Sequence, residues 1–457
     1  MRDMVFAFVW IAALPLVVVS AHIGVLLWVW SALLSPNEML YGFMTSVPFD
    51  RIAAIITIIV TFIGSDKKDS YFDVTLFLLV LFALAATASW FDGIVSSPFS
   101  TDLYQKLIKE IALAFFISML ITKRDRIDRL VIIIVIALGF LAVREGLIFI
   151  MTTGRHPNIG SASIGDNNSV ATALLMIIPL LYYLARHSAM RIVRIVMLSV
   201  LVLSVFAVVA TYSRGGFIGL VLLGGLIVTN NRRRLAALFL AASVGTFLYL
   251  LAPNAWFGRV DTIAAADNDS SFMGRVVAWK ISLLIAMDHP LFGGGMHAVQ
   301  NPMVWNTYRQ DLGSVDFVDT PPADEFPHAA HSIYFEVLGD LGFIGLTLFL
   351  AILGTALWNS RQIKRICRGH ASLLWASDLA RMIQISLIIF IITGAALSMA
   401  YFELLYILVI MLSRCRRTVR LALEAETPKM RRQFGSRRVV DGSPVFGPVG
   451  RGAPGPY

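Results

Sequence analysis

Residues 328–345 read HAAHSIYFEVLGDLGFIG and run directly into LTLFLAILGTAL, residues 346–357. The run from Ser332 to Leu357 is apolar enough, and long enough, to cross a bilayer as one helix. Two histidines, His328 and His331, stand at its mouth, and Gly342 and Gly345 interrupt its side chains further in. A titratable side chain at a membrane boundary is costly and marks a candidate functional position. Histidine is also the side chain best suited to moving a proton near neutral pH. The alternative is a histidine that caps, or hydrogen-bonds to, a helix start.

Working outward, runs of this kind recur along the 457 residues, of which 57% are hydrophobic and only 15% charged. The mean hydropathy is +0.75. These values exclude an ordinary soluble domain and predict an all-α polytopic membrane protein. Met4–Leu34 is one apolar stretch broken by Pro15, His22 and Gly24, and reads as two short or tilted helices. It is expected to be retained, because no small-residue cleavage site and soluble domain follow it. Further spans are expected at Ile52–Gly64, Val74–Trp90, Leu103–Ile121, Leu130–Met151, Val170–Leu184, Ile195–Tyr212, Gly216–Val228, Leu235–Leu251, Ser332–Leu357, Met382–Ala396 and Tyr401–Leu412. The expected total is about 12.

Basic residues set the orientation. Lys67 and Lys68, the group Lys123 to Arg129, Arg186 to Arg194, Arg232 to Arg234, Arg361 to Arg368 and the tail from Arg414 are spaced so that all can face the cytoplasm. The net charge of +9 therefore reflects the positive-inside bias, not nucleic acid, with contact between basic residues and anionic membrane lipids as the alternative role. The opposite face receives one large loop, residues 253–330, with an excess of Asp. Within it, Phe272, Val276, Trp279 and Leu283 predict an amphipathic helix over 271–287. Residues 413–457 are basic and rich in Gly and Pro and read as a disordered cytoplasmic tail. Two cysteines, Cys367 and Cys415, form neither a disulfide framework nor a metal site.

This topology places Arg214, Arg275 and His331 on one outer face. Arg214, in TYSRGG, lies between two spans joined by almost no loop; the alternative is an arginine that snorkels to headgroup phosphate. Arg275, in MGRVVAW, could equally pair with Asp267 or Asp269. Two forked guanidinium groups suit a diphosphate, and a neutral imidazole can take the proton of an attacking hydroxyl. Together they suit glycosyl transfer from a polyprenyl-diphosphate sugar, a scheme that calls for no metal or other cofactor. His328 is the rival base. Asp166 and Asn167 open a span from the same side, where Asp is also an ordinary cap. Arg144 and Glu145 lie inside a span and are expected to pair. Gly293, Gly294 and Gly295 lack the context of a phosphate-binding loop and read as a plain loop.

These residues resemble the O-antigen ligase and polymerase superfamily of bacterial membrane glycosyltransferases. His331, Ser332, Gly342 and Gly345 match the ligase pattern H-[NSQ]-x9-G-x-x-G, while Arg214 in SRGG, and Arg275 with Trp279 in GRxxxW, match its outer-face arginines. The N-terminal MRDMVFAFVW and GVLLWVWSALLSPNEMLYGF look like the putative O-glycosylation ligase subgroup associated with the exosortase A system. The resemblance implies transfer of a glycan from undecaprenyl diphosphate to an acceptor at the periplasmic face of the inner membrane. It implies His331 as base and Arg214 and Arg275 as diphosphate ligands, with His328, Ser332, Asp166, Asn167 and Trp279 as accessory candidates. The acceptor, whether lipid, protein or glycan, stays open. The expected organisation is a transmembrane region (1–194), a ligase-like catalytic region (195–412) including the loop 253–330, and the tail (413–457). A polymerase of the same superfamily and a transporter that flips a lipid-linked glycan are the competing functions.

Overall fold

The computed structural model describes residues 2–40, 42–64, 69, 71–94, 97–154, 164–230, 270–315 and 318–437. Every regular element among them is helical. In chain order the α-helices are α1 (Arg2–Val19), α2 (Ala21–Leu34), α3 (Phe49–Ile63), α4 (Val74–Asp92), α5 (Pro98–Leu120), α6 (Arg124–Met151), α7 (Asn167–His187), α8 (Arg191–Ala210), α9 (Arg214–Asn230), α10 (Ser270–Asp288), α11 (Pro302–Tyr308), α12 (Ile333–Ile366), α13 (Leu374–Thr393) and α14 (Glu403–Arg437). The expected span Leu235–Leu251 lies outside the described residues, as do Lys67, Lys68, Arg232 to Arg234, Asp267 and Asp269.

Local sequence explains where the helices begin. Asp73 accepts the Leu76 amide at 3.0 Å and opens α4. Ser97 accepts the Ser100 amide at 3.1 Å, with Pro98 at the first helical position of α5. Both are side-chain caps for amides that the helix itself cannot satisfy.

Among the described residues, six helical stretches are long and apolar enough to cross a membrane: Val74–Asp92, Arg124–Met151, Asn167–His187, Arg191–Ala210, Ile333–Ile366 and Ala371–Ala396. Shorter apolar helices occupy Phe6–Val19, Ala21–Leu34 and Arg214–Leu226. These observations support a multi-pass membrane protein; among the described residues, fewer of the about 12 expected spans are full-length apolar helices. The difference has physical causes. The helix α5 carries Lys106, Lys109 and Glu110, α14 carries Arg414, Arg416 and Arg417, and α3 is short. The break in the N-terminal run falls at Ser20, between α1 and α2.

The core is built around α7, which is buried on nearly all sides between α6, α8, α9 and α13. The helix α12 packs on α4, α10, α13 and α14. From Leu404 to Cys415, α14 is buried throughout. Its burial corrects the expectation of a disordered tail from residue 413: the helix continues to Arg437, and only 438–457 fall outside the described residues. Charge satisfaction is the reason. The fully buried Arg414 donates to Asp69 Oδ2 at 2.8 Å and to the Ile121 carbonyl at 3.3 Å. Ser413 donates to Asp73 Oδ2 at 2.6 Å, and the Arg417 guanidinium lies over the Tyr71 ring at 4.7 Å. Basic residues that read only as topology anchors therefore also tie α14 to the segment before α4. Arg144 pairs with its neighbour Glu145 at 2.5 Å.

Candidate functional site

The site assembles at the start of α12. The chain from Pro327 to Ser332 is not helical, so the helix begins only after His331, with Ser332 as its buried N-cap residue. His331 sits in the left-handed region, at φ +42°. Its backbone amide donates to the Ser398 hydroxyl at 3.0 Å. That bond comes from the turn between α13 and α14 and fixes a conformation that L residues other than Gly seldom adopt.

Around the imidazole stand charges from three segments. Burial, the Arg275 guanidinium and His328 all push the His331 pKa below its ordinary 6.5, while Asp166 opposes them. The net effect favours the neutral ring, the form that can accept a proton. Asp166 caps α7, accepting the Ser169 amide at 2.9 Å, the Ser169 hydroxyl at 2.8 Å and the Asn168 amide at 2.8 Å. Burial raises its pKa, but these hydrogen bonds outweigh burial and hold it below the usual carboxylate value.

The backbone leading into Arg214 is tied to the start of α7 by a short relay. Ser213 donates to Asn168 Oδ1 at 2.6 Å and accepts the Gly216 amide at 2.9 Å, capping α9 directly before Arg214. Asn167 donates to the Thr211 carbonyl at 2.8 Å. The N-termini of α7 and α9 are thereby stitched together, with Arg214 at the seam. Gly216 allows this: a Cβ there would stand 2.9 Å from Ala171 Cβ.

The helix α10 braces the peptide before His331. Trp279 donates its indole N–H to the Ala330 carbonyl at 2.6 Å and stacks on Phe335 at 5.2 Å with a 7° interplanar angle. Trp279 thus holds the backbone beside His331. The buried face of α10 is Val277, Ala278, Ile281, Leu284 and Ile285, packed on Val304, Trp305 and Tyr308. The helix expected over 271–287 is present, but Phe272 lies outside that packed set and is exposed. His328 is not on a helix with His331. Its Nε2 lies 3.3 Å from Asp324 Oδ2, its ring meets Trp305 edge-on at 5.6 Å, and Gly274 leaves space beside it.

Sequence reasoning missed Ser398 and Ser213, for which neither spacing nor composition gives a signal. It also undervalued the triple glycine. Gly293 lies against α12, where Gly342 (φ +66°, ψ −165°) breaks the helical geometry. A Cβ on Gly342 would stand 2.7 Å from Gly293 N. The glycine loop and the break satisfy one another: Gly294 N donates to Gly339 O at 2.9 Å, Gly295 N to Asp340 O at 3.2 Å, and Phe343 N to Pro290 O at 3.0 Å. Gly345 is required for a second reason, since its Cβ would come within 2.1 Å of Leu341 Cβ.

Residues 199–350 match the family model described as O-Antigen ligase. That interval contains Arg214, Arg275, His328, His331, Ser332, Gly342 and Gly345. Residues 1–189 match a second model, described as a family of unknown function (DUF5935). No curated protein matches the chain. The O-antigen ligase match supports the superfamily, and with it a glycan-transferring membrane ligase or polymerase.

Proposed function

We propose that this protein transfers a glycan from undecaprenyl diphosphate to an acceptor hydroxyl at the periplasmic face of the inner membrane. The observation that carries the reading is the grouping of His331, Arg275 and Asp166 beside the α7–α9 seam that bears Arg214, all but Asp166 within the O-antigen ligase match. In the reaction, the acceptor oxygen attacks the anomeric carbon of the donor sugar as His331 takes its proton. The bond from that carbon to the diphosphate oxygen breaks, and undecaprenyl diphosphate leaves. Arg214 and Arg275 hold the diphosphate and stabilise the charge that grows on it. Asp166 balances the positive charge that His331 acquires.

The N-terminal resemblance extends this reading to the O-glycosylation ligases of the exosortase A system. The test uses purified protein in nanodiscs with an undecaprenyl-diphosphate glycan and an acceptor extract, following release of undecaprenyl diphosphate. Wild type should release it, and folded His331→Ala and Arg214→Ala should not. Movement of the donor across vesicle bilayers with no glycosidic product would replace the transferase with a transporter.

A further inference from the structure

The turn between α13 and α14 touches His331 through Ser398, but it is α12 that holds the turn in place. Leu397, Met399, Ala400, Tyr401 and Phe402 are all buried. Amides in such a segment cannot turn to water and must find acceptors within the protein. Ala400 lies in no helix; its amide donates to Glu336 Oε2 at 3.0 Å, and the Met399 amide faces the same carboxylate. One helical turn further along α12, Asp340 Oδ2 accepts the Tyr401 hydroxyl at 3.1 Å. From the other side, the Tyr406 hydroxyl donates to the Ala400 carbonyl at 3.0 Å.

The contacts of Glu336 close a ring around the His331 backbone. The Ser398 hydroxyl accepts the His331 amide, and two residues on, the Ala400 amide is taken by the Glu336 carboxylate. The Glu336 amide in turn donates to the carbonyl of Ser332, the neighbour of His331, at 2.8 Å. His331, at positive φ, is therefore tied to a turn whose own place is set by a side chain five residues further along.

Withdrawing the Glu336 oxygens would strand a buried amide, which is costly enough to make the turn shift toward another acceptor. Such a shift carries the Ser398 hydroxyl off the His331 amide. The imidazole would then lose its fixed direction, although no group that meets the substrate has changed.

We propose that Glu336 is a positioning residue for His331, acting through the turn at 398–400. The role asks for reach, not for charge: Glu336 supplies an acceptor oxygen at the right distance from α12. Its bearing on turnover rests on the transferase reading; its hold on the His331 backbone does not. Reach and charge separate by substitution. Glu336→Gln keeps the length and a carbonyl oxygen but removes the charge. Glu336→Asp keeps the charge but draws the carboxylate back by one methylene.

The experiment follows undecaprenyl-diphosphate release by the whole protein in nanodiscs, with kcat and KM separated, beside hydrogen–deuterium exchange of the peptide 329–333. Glu336→Gln should keep kcat within about threefold of wild type. Glu336→Asp should lose about tenfold in kcat, as Ser398→Ala does, with KM for the donor unchanged and faster exchange at His331. Should Glu336→Asp not fold, Glu336→Met, unbranched and without an acceptor, should give the same loss. The effects should not multiply: in a Ser398→Ala background, Glu336→Asp should cost less than about twofold more. Wild-type kcat in Glu336→Asp, an active Glu336→Asp beside an inactive Glu336→Gln, or losses that multiply to about a hundredfold with Ser398→Ala each overturn the proposal. If wild type releases no undecaprenyl diphosphate, the transferase reading fails and exchange at His331 decides the positioning alone. Faster exchange in Glu336→Asp than in Glu336→Gln then supports it, and equal exchange sinks it. Release by wild type with equal exchange and equal kcat in both variants sinks the positioning and leaves the transferase.

Discussion

The Ser398 hydroxyl accepts the backbone amide of His331 at 3.0 Å across 67 residues of chain. The bond holds a positive-φ histidine in place from a turn that carries no charge of its own. Ser398→Ala removes one hydrogen bond, about 1 kcal/mol, and allows the peptide to relax from the left-handed region. Turnover is expected to fall about tenfold, with KM for the donor little changed and Ser398→Thr largely restoring it. A Ser398→Ala enzyme with wild-type turnover would show that the bond does not position the base.

The pH profile has a defined sign. As the proposed base, His331 would accept a proton only when neutral, so activity is expected to rise with pH as the imidazole deprotonates. Burial first, then Arg275 and His328, hold its pKa below 6.5 against the pull of Asp166. The acid limb of kcat/KM should therefore lie below pH 6.5, leaving neutral pH on the plateau. Asp166→Asn preserves the cap but removes the opposing carboxylate, and should move the limb further toward acid. A limb above that of ordinary histidine, or one that Asp166→Asn shifts upward, would remove His331 from the role of base.

Gly342→Ala tests the broken helix. The dihedral angles of Gly342 belong to a region open essentially to Gly alone, and its Cβ would meet the main chain of Gly293. A loss of stability of about 3 kcal/mol or more is expected, read as a lowered unfolding midpoint in nanodiscs. Gly354→Ala, in the same helix with open space around it, should leave the midpoint near wild type. Equal midpoints for both variants would contradict the close approach.

Arg414→Met tests the opposite end of α14. It removes the 2.8 Å partner of Asp69, leaving that carboxylate with Arg417 at 3.8 Å, and is expected to cost about 2–4 kcal/mol. Asp69→Asn combined with Arg414→Met should be less damaging than the sum of the two single changes. Strict additivity would show that the pair is not coupled.

Helix positions were legible wherever apolar runs were bounded by a cap or by a basic cluster. The residues Asp166 before α7 and Lys123 before α6 are examples. The titratable candidates were legible because His331, Arg275 and Arg214 carry chemistry in an otherwise apolar chain. What binds them together was not. Ser398 and Ser213 act through hydrogen bonds between segments far apart in sequence, and single polar residues near span ends are common. The tail from residue 413 was misread for a related reason: its arginines look like solvated charge until Asp69, Asp73 and Tyr71 are brought beside them.

The junction of Gly293 with Gly342 is a meeting of main chain with main chain. Any side chain at either glycine would break it, and exchanges at neighbouring positions do not enter it. Inserting or deleting a single residue between His289 and Gly295 would pull the amides out of phase with the carbonyls of Gly339 and Asp340. The segment is therefore a fixed-length clasp. Changes of length belong in the loops on either side of it, not within it.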